Sequence, residues 1–264
     1  MQYDELLKTA LKATEIGSKI TKKYYGKLTH IGKKPDAGLV TIADKESEAA
    51  IIKTILSKFP DHQIYAEESG EKKTSSNVRW IIDPLDGTTN YAHQMPHFCV
   101  SIAVEVGGKL VLGILDAPIL EERFMAVKGE GATLNKKKIR VSGISNIEDA
   151  LLATGFSYKR GEIVNREVER LRSVFKKVRS VRRLGSAALD MACVACGRFD
   201  GFWETDLAAW DIAAGAVIVE ESGGKLTNFK GEKFNCYEGE LLATNTLFHN
   251  ELKELLNLKG VTNP

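Results

Sequence analysis

The 264-residue chain has few of the features that mark membrane, secreted or nucleic-acid-binding proteins. Its net charge is only +2, so no strong overall field draws it to nucleic acid or to a membrane surface. Its apolar runs fall far short of the roughly 20 residues that span a bilayer. The N-terminal segment mixes acids and bases and contains no apolar core with a cleavage site, so it does not resemble a signal peptide. These absences predict a cytoplasmic protein that makes no membrane contact.

Cysteine is also scarce, because four residues scattered along the chain are too few for a disulfide framework. Cys193 and Cys196 form a C-x-x-C pair, a spacing that suits redox chemistry or half of a zinc site. The pair falls within a helical run, however, and no second C-x-x-C or histidine pair accompanies it. We therefore predict two buried helix cysteines rather than a reactive pair.

Repeats, low-complexity tracts and proline-rich linkers are absent, and the composition is 43% hydrophobic and 27% charged. This composition is typical of a globular protein with a sizeable core. Residues 1–145 contain two helical segments and then a block of strands, whereas helices and strands alternate over residues 146–264. The pattern predicts an α+β half and an α/β half that pack as one compact structural unit with a cleft between them.

Two segments have patterns that favour irregular structure. Pro35 and Gly38 predict a loop between the two N-terminal helices. The stretch KKVRSVRR, Lys176 to Arg183, is a local basic patch in a nearly neutral chain. A run this short is usually a solvated helix end and turn, which is the structure we predict, and an acidic partner is the alternative.

The stretch WIIDPLDGTTN, residues 80–90, places two aspartates three positions apart at the end of an apolar strand. Since a residue before proline favours an extended conformation, Asp83 is predicted to close the strand, with Asp86 turned back towards the same space. Two carboxylates this close need a shared proton or a cation between them. The amides of Gly87 and Thr88, which follow directly, suit an anion.

A cation beside an anion-binding backbone is the arrangement that holds a phosphate ester against a divalent metal. The alternative is that the D-P and D-G dipeptides only form turns. Acids elsewhere in the chain favour the metal site, because Glu67 and Glu68 end a neighbouring strand and Asp211 begins an apolar helix. The hypothesis is therefore phosphoryl chemistry at the mouth of a sheet.

Three segments together resemble, in order and spacing, the signature segments of the inositol monophosphatase family: YAEES, WIIDPLDGTTNY and WDIAAGAVIVEESGG. Members are magnesium-dependent, lithium-sensitive phosphatases related to fructose-1,6-bisphosphatases and to 3'(2'),5'-bisphosphate nucleotidases. A fourth stretch, RRLGSAALDMACVACGRFDGFWE, is similar to the bacterial and archaeal branch. The resemblance covers nearly the whole chain and implies a layered αβαβα sandwich of the α/β class that forms a homodimer.

The resemblance also implies a metal centre of two or three Mg²⁺ ions per subunit, with Mn²⁺ as a possible substitute. The first ion would be held by Glu67, Asp83 and the main-chain carbonyl of Leu85. The second would be held by Asp83, Asp86 and Asp211, so that Asp83 bridges the two ions, and a third ion would lie near Glu67. All-oxygen ligation of this kind suits hard cations and makes zinc a poor fit.

For catalysis, the resemblance implies that Thr88, hydrogen-bonded to Asp44, orients a water activated by the metal. Glu67 would help to orient this water and accept its proton. Attack on phosphorus would be in line, without a covalent intermediate. Neither Cys99 nor the loop histidines His93 and His97 is expected to take part.

The resemblance further implies the residues that bind the substrate. Gly87 and Thr88 would bind the phosphate. The polyol would be faced by Gly185, Ser186, Ala187, Glu204 and Asp86. The full set is Asp86, Gly87, Thr88, Gly185, Ser186, Ala187, Glu204 and Asp211, with Ser157 as a weaker match. Lys33 falls where the family often has a lysine in its metal-binding loop. Gly38 departs from the pattern, because some animal members have an acid there, and the nearest acid in this chain is Asp36.

The implied substrate is inositol-1-phosphate, and a main or additional activity on fructose-1,6-bisphosphate is the alternative. Nucleotide bisphosphates fit less well, because that branch usually carries longer insertions. A different class also remains open, since some bacterial relatives bind RNA polymerase and the transcription machinery and act in antitermination. The patch Lys176 to Arg183 is where we expect such a surface, although basic residues near a cleft also attract anionic substrates.

Overall fold

The structure, a computed structural model, describes residues 3–28, 30–34, 38–159 and 161–258. Its elements stack as five layers: two helices, an eight-stranded sheet, two helices, a five-stranded sheet and two helices. The αβαβα sandwich implied by the resemblance is therefore confirmed. Within the described residues, no helix has the length and apolar character needed to cross a membrane.

The first outer layer consists of helices α1 (Asp4–Tyr24) and α2 (Ile42–Lys58). A capping box begins α2: Thr41 Oγ1 accepts a hydrogen bond from the Ala43 amide, and Asp44 Oδ2 accepts one from the Thr41 amide at 2.8 Å. This cap fixes Asp44 at the start of the helix, fully buried.

The connection between α1 and α2 is not the irregular loop that we predicted. Strands β1 (Ile31–Lys34) and β2 (Gly38–Thr41) pair as an antiparallel hairpin, with Ile31 opposite Thr41. The prediction was wrong because Gly38 was taken as a loop marker, whereas Val40 and Thr41, which follow it, favour a strand. Pro35 and Asp36 lie outside the described residues.

The eight-stranded sheet has the order β10-β9-β8-β7-β6-β5-β3-β4 and is antiparallel except between β3 and β5. A short helix, α3 (Thr88–Ala92), follows β5. The strands are β3 (Gln63–Ala66), β4 (Gly70–Lys72), β5 (Val78–Asp86), β6 (Cys99–Val106), β7 (Lys109–Ala117), β8 (Glu122–Val127), β9 (Gly131–Leu134) and β10 (Lys137–Lys138).

We predicted that strand β5 ends at Asp83, but it continues through Pro84 to Asp86. Its register against β6 shifts between Asp83 and Asp86, which is the signature of a bulge at the edge of regular pairing. Proline has no amide hydrogen to donate to a neighbouring strand. The strand can therefore continue past Pro84 only where the regular pairing is interrupted.

The five-stranded sheet has the order β12-β11-β13-β15-β14. Its strands are β11 (Leu151–Thr154), β12 (Ser180–Arg182), β13 (Gly201–Thr205), β14 (Lys225–Thr227) and β15 (Glu240–Thr244). Helices α4 (Glu162–Phe175) and α7 (His249–Leu256) cover its outer face, and α5 (Ala187–Ala195) and α6 (Ala209–Glu221) lie between the two sheets. The division of the chain at residues 145 and 146 stays a prediction.

The basic patch Lys176 to Arg183 contains strand β12, so our prediction of a helix end and turn was only partly right. Val181 pairs in parallel with Leu152 and packs against the outer apolar cluster of the small sheet. Strand β12 is only three residues long and contains one valine, so no alternating pattern marked it in the sequence.

The two helix cysteines occupy different environments. Cys193 lies within α5 and is buried, as predicted, whereas Cys196 caps the helix and is partly exposed. Burial raises the pKa of both thiols, that of Cys193 to about 12. Both thiols therefore stay protonated and unreactive near neutral pH.

Acid should weaken the fold through His249, which begins α7. Its Nε2 lies 2.9 Å from Thr227 Oγ1 and its Nδ1 lies 2.8 Å from Thr244 Oγ1. Burial lowers its pKa from 6.5 to about 4. Between these values the unfolded chain binds more protons than the folded chain, so the free energy of unfolding falls as pH decreases through this window.

We expect the melting temperature of the wild type to fall between about pH 7 and about pH 4.5, and the fall to be smaller in His249→Asn. Calorimetry at both pH values measures the difference. Equal falls in the two proteins would mean that His249 does not contribute to the acid sensitivity.

Candidate metal and phosphate site

A cavity of about 340 Å³ opens where the bulged end of β5 faces the loops of the small sheet. The cavity brings together most of the residues predicted for the site, although they come from distant parts of the chain. Those that line it are Glu67, Asp83, Leu85, Asp86, Gly87, Thr88, Ser157, Gly185, Ala187, Glu204 and Asp211. Asp44 and Ser186 lie directly behind this wall, and only Lys33 is placed elsewhere, exposed on β1.

Three carboxylates meet in this cavity. Asp83, Asp86 and Asp211 each place one oxygen within 4.8 Å of the others, and Asp83 and Asp86 are buried. Burial, followed by the charges of Glu67, Asp86 and Asp211, raises the pKa of Asp83 well above its usual value. Burial also raises the pKa of Asp86 to about 6. A hard divalent cation fits this donor set and would lower these pKa values.

The chain fixes the orientation of two of these carboxylates through local backbone contacts. Asp83 Oδ1 accepts a hydrogen bond from the Leu85 amide at 2.8 Å, within the bulge of β5. Asp211 Oδ2 accepts one from the Ala208 amide at 2.7 Å, which caps the start of α6. Each carboxylate therefore has one oxygen held by its own element.

Asp86 is held by the other half of the chain. Its Oδ2 accepts hydrogen bonds from the Ser186 hydroxyl and, at 3.0 Å, from the Ala188 amide at the start of α5. The loop before α5 is fixed in turn by Asn90 Nδ2, which donates to the Leu184 carbonyl at 2.7 Å. The predicted polyol segment thus contacts a predicted metal ligand directly.

The turn after β5 depends on a glycine. Gly87 has φ +90°, and a Cβ at this position would lie 3.0 Å from the His97 carbonyl oxygen. The left-handed conformation disfavours any other residue, and an added side chain would press against the backbone at His97. Gly87 and Thr88 both line the cavity beside the acids.

Thr88 links the cavity to the buried Asp44. Its Oγ1 lies 3.1 Å from Asp44 Oδ1 and 3.0 Å from the Leu85 carbonyl oxygen. Asp44 Oδ2 accepts hydrogen bonds from both the amide and the hydroxyl of Thr41. Burial raises the pKa of Asp44 to about 6. The predicted contact between Thr88 and Asp44 is therefore present in the structure.

Glu204 faces the cavity from β13 and is partly exposed there. Burial, with the charges of Asp190 and Asp211, raises its pKa well above the usual value. A Cβ on Gly155 would lie 2.0 Å from the Glu204 carboxylate, so this glycine provides the room that Glu204 occupies. Ser157 is committed elsewhere, because its hydroxyl donates to Asp206 Oδ2 at 2.5 Å.

Several residues of the cavity were not predicted. Tyr158, Lys159, Arg183 and Trp210 line it, and they lie in loops or at element ends where periodicity carries no signal. His97 lies in a loop, as expected. The sequence did not predict its contact with a second buried acid: its Nε2 lies 3.5 Å from Asp190 Oδ1.

Comparison with known proteins agrees with this geometry. The sequence profile of the inositol monophosphatase family matches residues 2–260, and the chain belongs to this family. It is 42% identical over 234 residues to the inositol-1-monophosphatase of Synechocystis sp., covering 88% of this chain and 82% of that protein. It is 42% identical over 219 residues to the Nus factor SuhB of Pasteurella multocida, covering 83% and 81%.

A solved inositol monophosphatase from Anabaena (Nostoc) sp. has the same fold, with a TM-score of 0.86. It is 38% identical in sequence, and the match covers 97% of each chain. Family membership and the acidic cavity together support phosphatase chemistry that depends on a metal.

Proposed function

We propose that this protein is a Mg²⁺-dependent phosphomonoesterase that hydrolyses inositol-1-phosphate to inositol and phosphate. The observation that carries the proposal is the convergence of Asp83, Asp86 and Asp211 in a cavity that Gly87 and Thr88 also line. Similarity to a protein named inositol-1-monophosphatase supports the choice of substrate.

Glu67, Asp83, the Leu85 carbonyl, Asp86 and Asp211 are the proposed ligands of two or three ions. They are all oxygen donors, as Mg²⁺ requires, and Mn²⁺ could take the same positions. When bound, Mg²⁺ would supply Lewis acidity that activates water and stabilises the leaving oxygen. Lithium should inhibit by competing for one of these positions.

The chain's own groups would orient the water and the substrate. Thr88 Oγ1, held by Asp44, hydrogen-bonds the attacking water, and Glu67 orients it and accepts its proton. The Gly87 and Thr88 amides bind the phosphate, in line with the water. Asp86, Glu204 and the segment Gly185–Ala187 face the polyol.

The test is phosphate release from inositol-1-phosphate, fructose-1,6-bisphosphate and an adenosine bisphosphate, each with and without Mg²⁺. We expect the highest kcat/KM with inositol-1-phosphate and no turnover without the metal. A higher kcat/KM with fructose-1,6-bisphosphate would favour that alternative instead. Release that is independent of divalent metal would contradict the proposed chemistry.

Glu204→Gln should change substrate preference more than metal affinity, because Glu204 lies beyond the three-carboxylate cluster. We expect the ratio of kcat/KM for inositol-1-phosphate over fructose-1,6-bisphosphate to change by about tenfold. The Mg²⁺ concentration for half-maximal activity should stay within about twofold. Glu238→Gln, on an exposed loop, is the control, and a selective loss of Mg²⁺ affinity in Glu204→Gln would contradict this role.

A role in a transcription complex is the second candidate, since several relatives are named Nus factor SuhB. The basic side chains of the patch Lys176 to Arg183 are exposed, so they are available to a partner. Asp83→Asn separates the two roles: a binding role predicts that association with RNA polymerase survives the loss of hydrolysis. If neither the wild type nor Asp83→Asn associates with RNA polymerase, this candidate is wrong.

We also propose a homodimer. Helix α4 exposes Val168 and Phe175, which are seven positions apart and therefore lie on one face. A second copy of the chain would cover this apolar stripe. Light scattering of the wild type should give a mass twice the 29.1 kDa of one chain. The mass measured for Phe175→Glu should be closer to that of the monomer.

A further inference from the structure

Tyr158 lies in the segment between β11 and α4 and forms part of the cavity wall. Its hydroxyl lies 3.2 Å from Thr89 Oγ1, at the start of α3. Its ring covers Gly38, the first residue of β2: a Cβ on Gly38 would lie 3.2 to 3.5 Å from three ring atoms. One side chain therefore contacts two elements that are separate in sequence.

These two contacts involve the elements that hold the Thr88–Asp44 pair. Thr89 directly follows Thr88 in α3. Gly38 begins the strand that ends at Thr41, whose amide and hydroxyl hold Asp44 Oδ2. Displacing the hairpin or the start of α3 would thus change the distance between Thr88 Oγ1 and Asp44 Oδ1.

Tyr158 is itself fixed through both neighbours. The Ser157 amide donates to the buried Glu167 carboxylate at 3.2 Å, and the Ser157 hydroxyl donates to Asp206. Lys159 forms an ion pair with the same Asp206. The side chain of Tyr158 therefore extends from an anchored segment.

Gly38 is matched to this ring. It has φ +86°, a conformation that favours glycine, and the ring occupies the space into which a side chain would extend. A side chain at position 38 would therefore have to displace the ring of Tyr158.

We propose that Tyr158 is a positioning residue for hydrolysis: it braces the β1–β2 hairpin against the start of α3 and keeps Thr88 and Asp44 in the geometry that orients the attacking water. This inference rests on the proposed function. A brace of this kind affects the reacting geometry rather than the affinity for the ester, so kcat should change and KM should not.

Tyr158→Phe keeps the ring and removes the hydroxyl, whereas Tyr158→Ala removes both contacts. We expect kcat to fall by about threefold in Tyr158→Phe and by about thirtyfold in Tyr158→Ala, with KM within about twofold. Tyr237→Phe is the matched control, an exposed tyrosine whose hydroxyl contacts Arg79 and Glu105 and which does not line the cavity. A large rise in KM with unchanged kcat would make Tyr158 a substrate contact and overturn the brace.

A double-mutant cycle tests the contact with Gly38. Gly38→Ala introduces backbone strain in any background, but it meets the ring only when Tyr158 is present. We expect Gly38→Ala to lower kcat at least about threefold more in the wild type than in Tyr158→Ala. Equal effects in the two backgrounds would overturn the proposed contact.

Hydrogen exchange without substrate separates this inference from the proposed function. In Tyr158→Ala, the amides of Gly38–Thr41 and Thr88–Ala92 should exchange faster, whereas those of α5 and α6 should not change. Faster exchange in a protein that hydrolyses no phosphate ester would support the brace and reject the phosphatase. Unchanged exchange and unchanged kcat in an active enzyme would reject the brace alone.

Discussion

Asp83→Asn is expected to lower kcat for phosphate release by about a thousandfold, because it removes one charge from the centre of the acid cluster. The substitution preserves the shape of the side chain and leaves the Oδ1 acceptor for the Leu85 amide. It also removes a charge that is disfavoured first by burial and then by the neighbouring acids, the two causes that raise the pKa of Asp83, so the free energy of unfolding without metal should not fall. Initial rates at saturating Mg²⁺, together with urea unfolding, measure both quantities.

Asp116→Asn provides a control for this experiment. Asp116 is also a buried strand-end aspartate, but it pairs with Arg123 at 2.7 Å on a separate groove of the protein. Its substitution should change kcat by no more than about threefold. If Asp83→Asn retains wild-type turnover, Asp83 does not bridge the metal ions and the proposed centre is wrong.

Gly113→Ala should lower the free energy of unfolding by about 3 kcal/mol. A Cβ on Gly113 of β7 would lie 2.3 Å from the carbonyl oxygen of Ala214 in α6. Both atoms belong to rigid backbone in the central layers, so α6 would have to move away from the sheet. Urea unfolding measures the change, and the m value checks that the compactness of the two states is preserved.

Gly143→Ala is the matched control, because nothing lies within 4 Å of the added Cβ. It should change stability by less than about 0.5 kcal/mol. Since Asp211 lies in the first turn of α6, Gly113→Ala should also weaken Mg²⁺ binding. If Gly113→Ala is as stable as the wild type, α6 can move away from β7 at little cost, and the close packing of Gly113 against Ala214 does not limit stability.

The acid cluster was predictable because chemistry restricts it so strongly. The spacing of Asp83 and Asp86 around a proline leaves few explanations other than a cation or a turn, and distant acids such as Asp211 separated the two. Strand β5 and helix α6 were predictable for a different reason: each is buried nearly all round and therefore appears in the sequence as a continuous apolar run.

The contacts that support the cluster could not be predicted in this way. The hairpin β1–β2 is short, and its glycine and proline carry loop signals that tertiary pairing overrides. Tyr158 is a single exposed aromatic residue whose role depends on two elements that lie far away in sequence. Such contacts depend on how the elements pack in three dimensions, whereas sequence patterns predict each element separately.

The hydrogen bonds from Ser186 and Ala188 to Asp86 have a consequence for biosynthesis. A nascent chain that has left the ribosome only as far as β10 already contains Asp83 and Asp86, but neither α5 nor Asp211 to complete the centre. Capture of the proposed metal therefore has to follow the translation of most of the polypeptide. A stalled or truncated product would contain the signature aspartates and yet be unable to retain the ion.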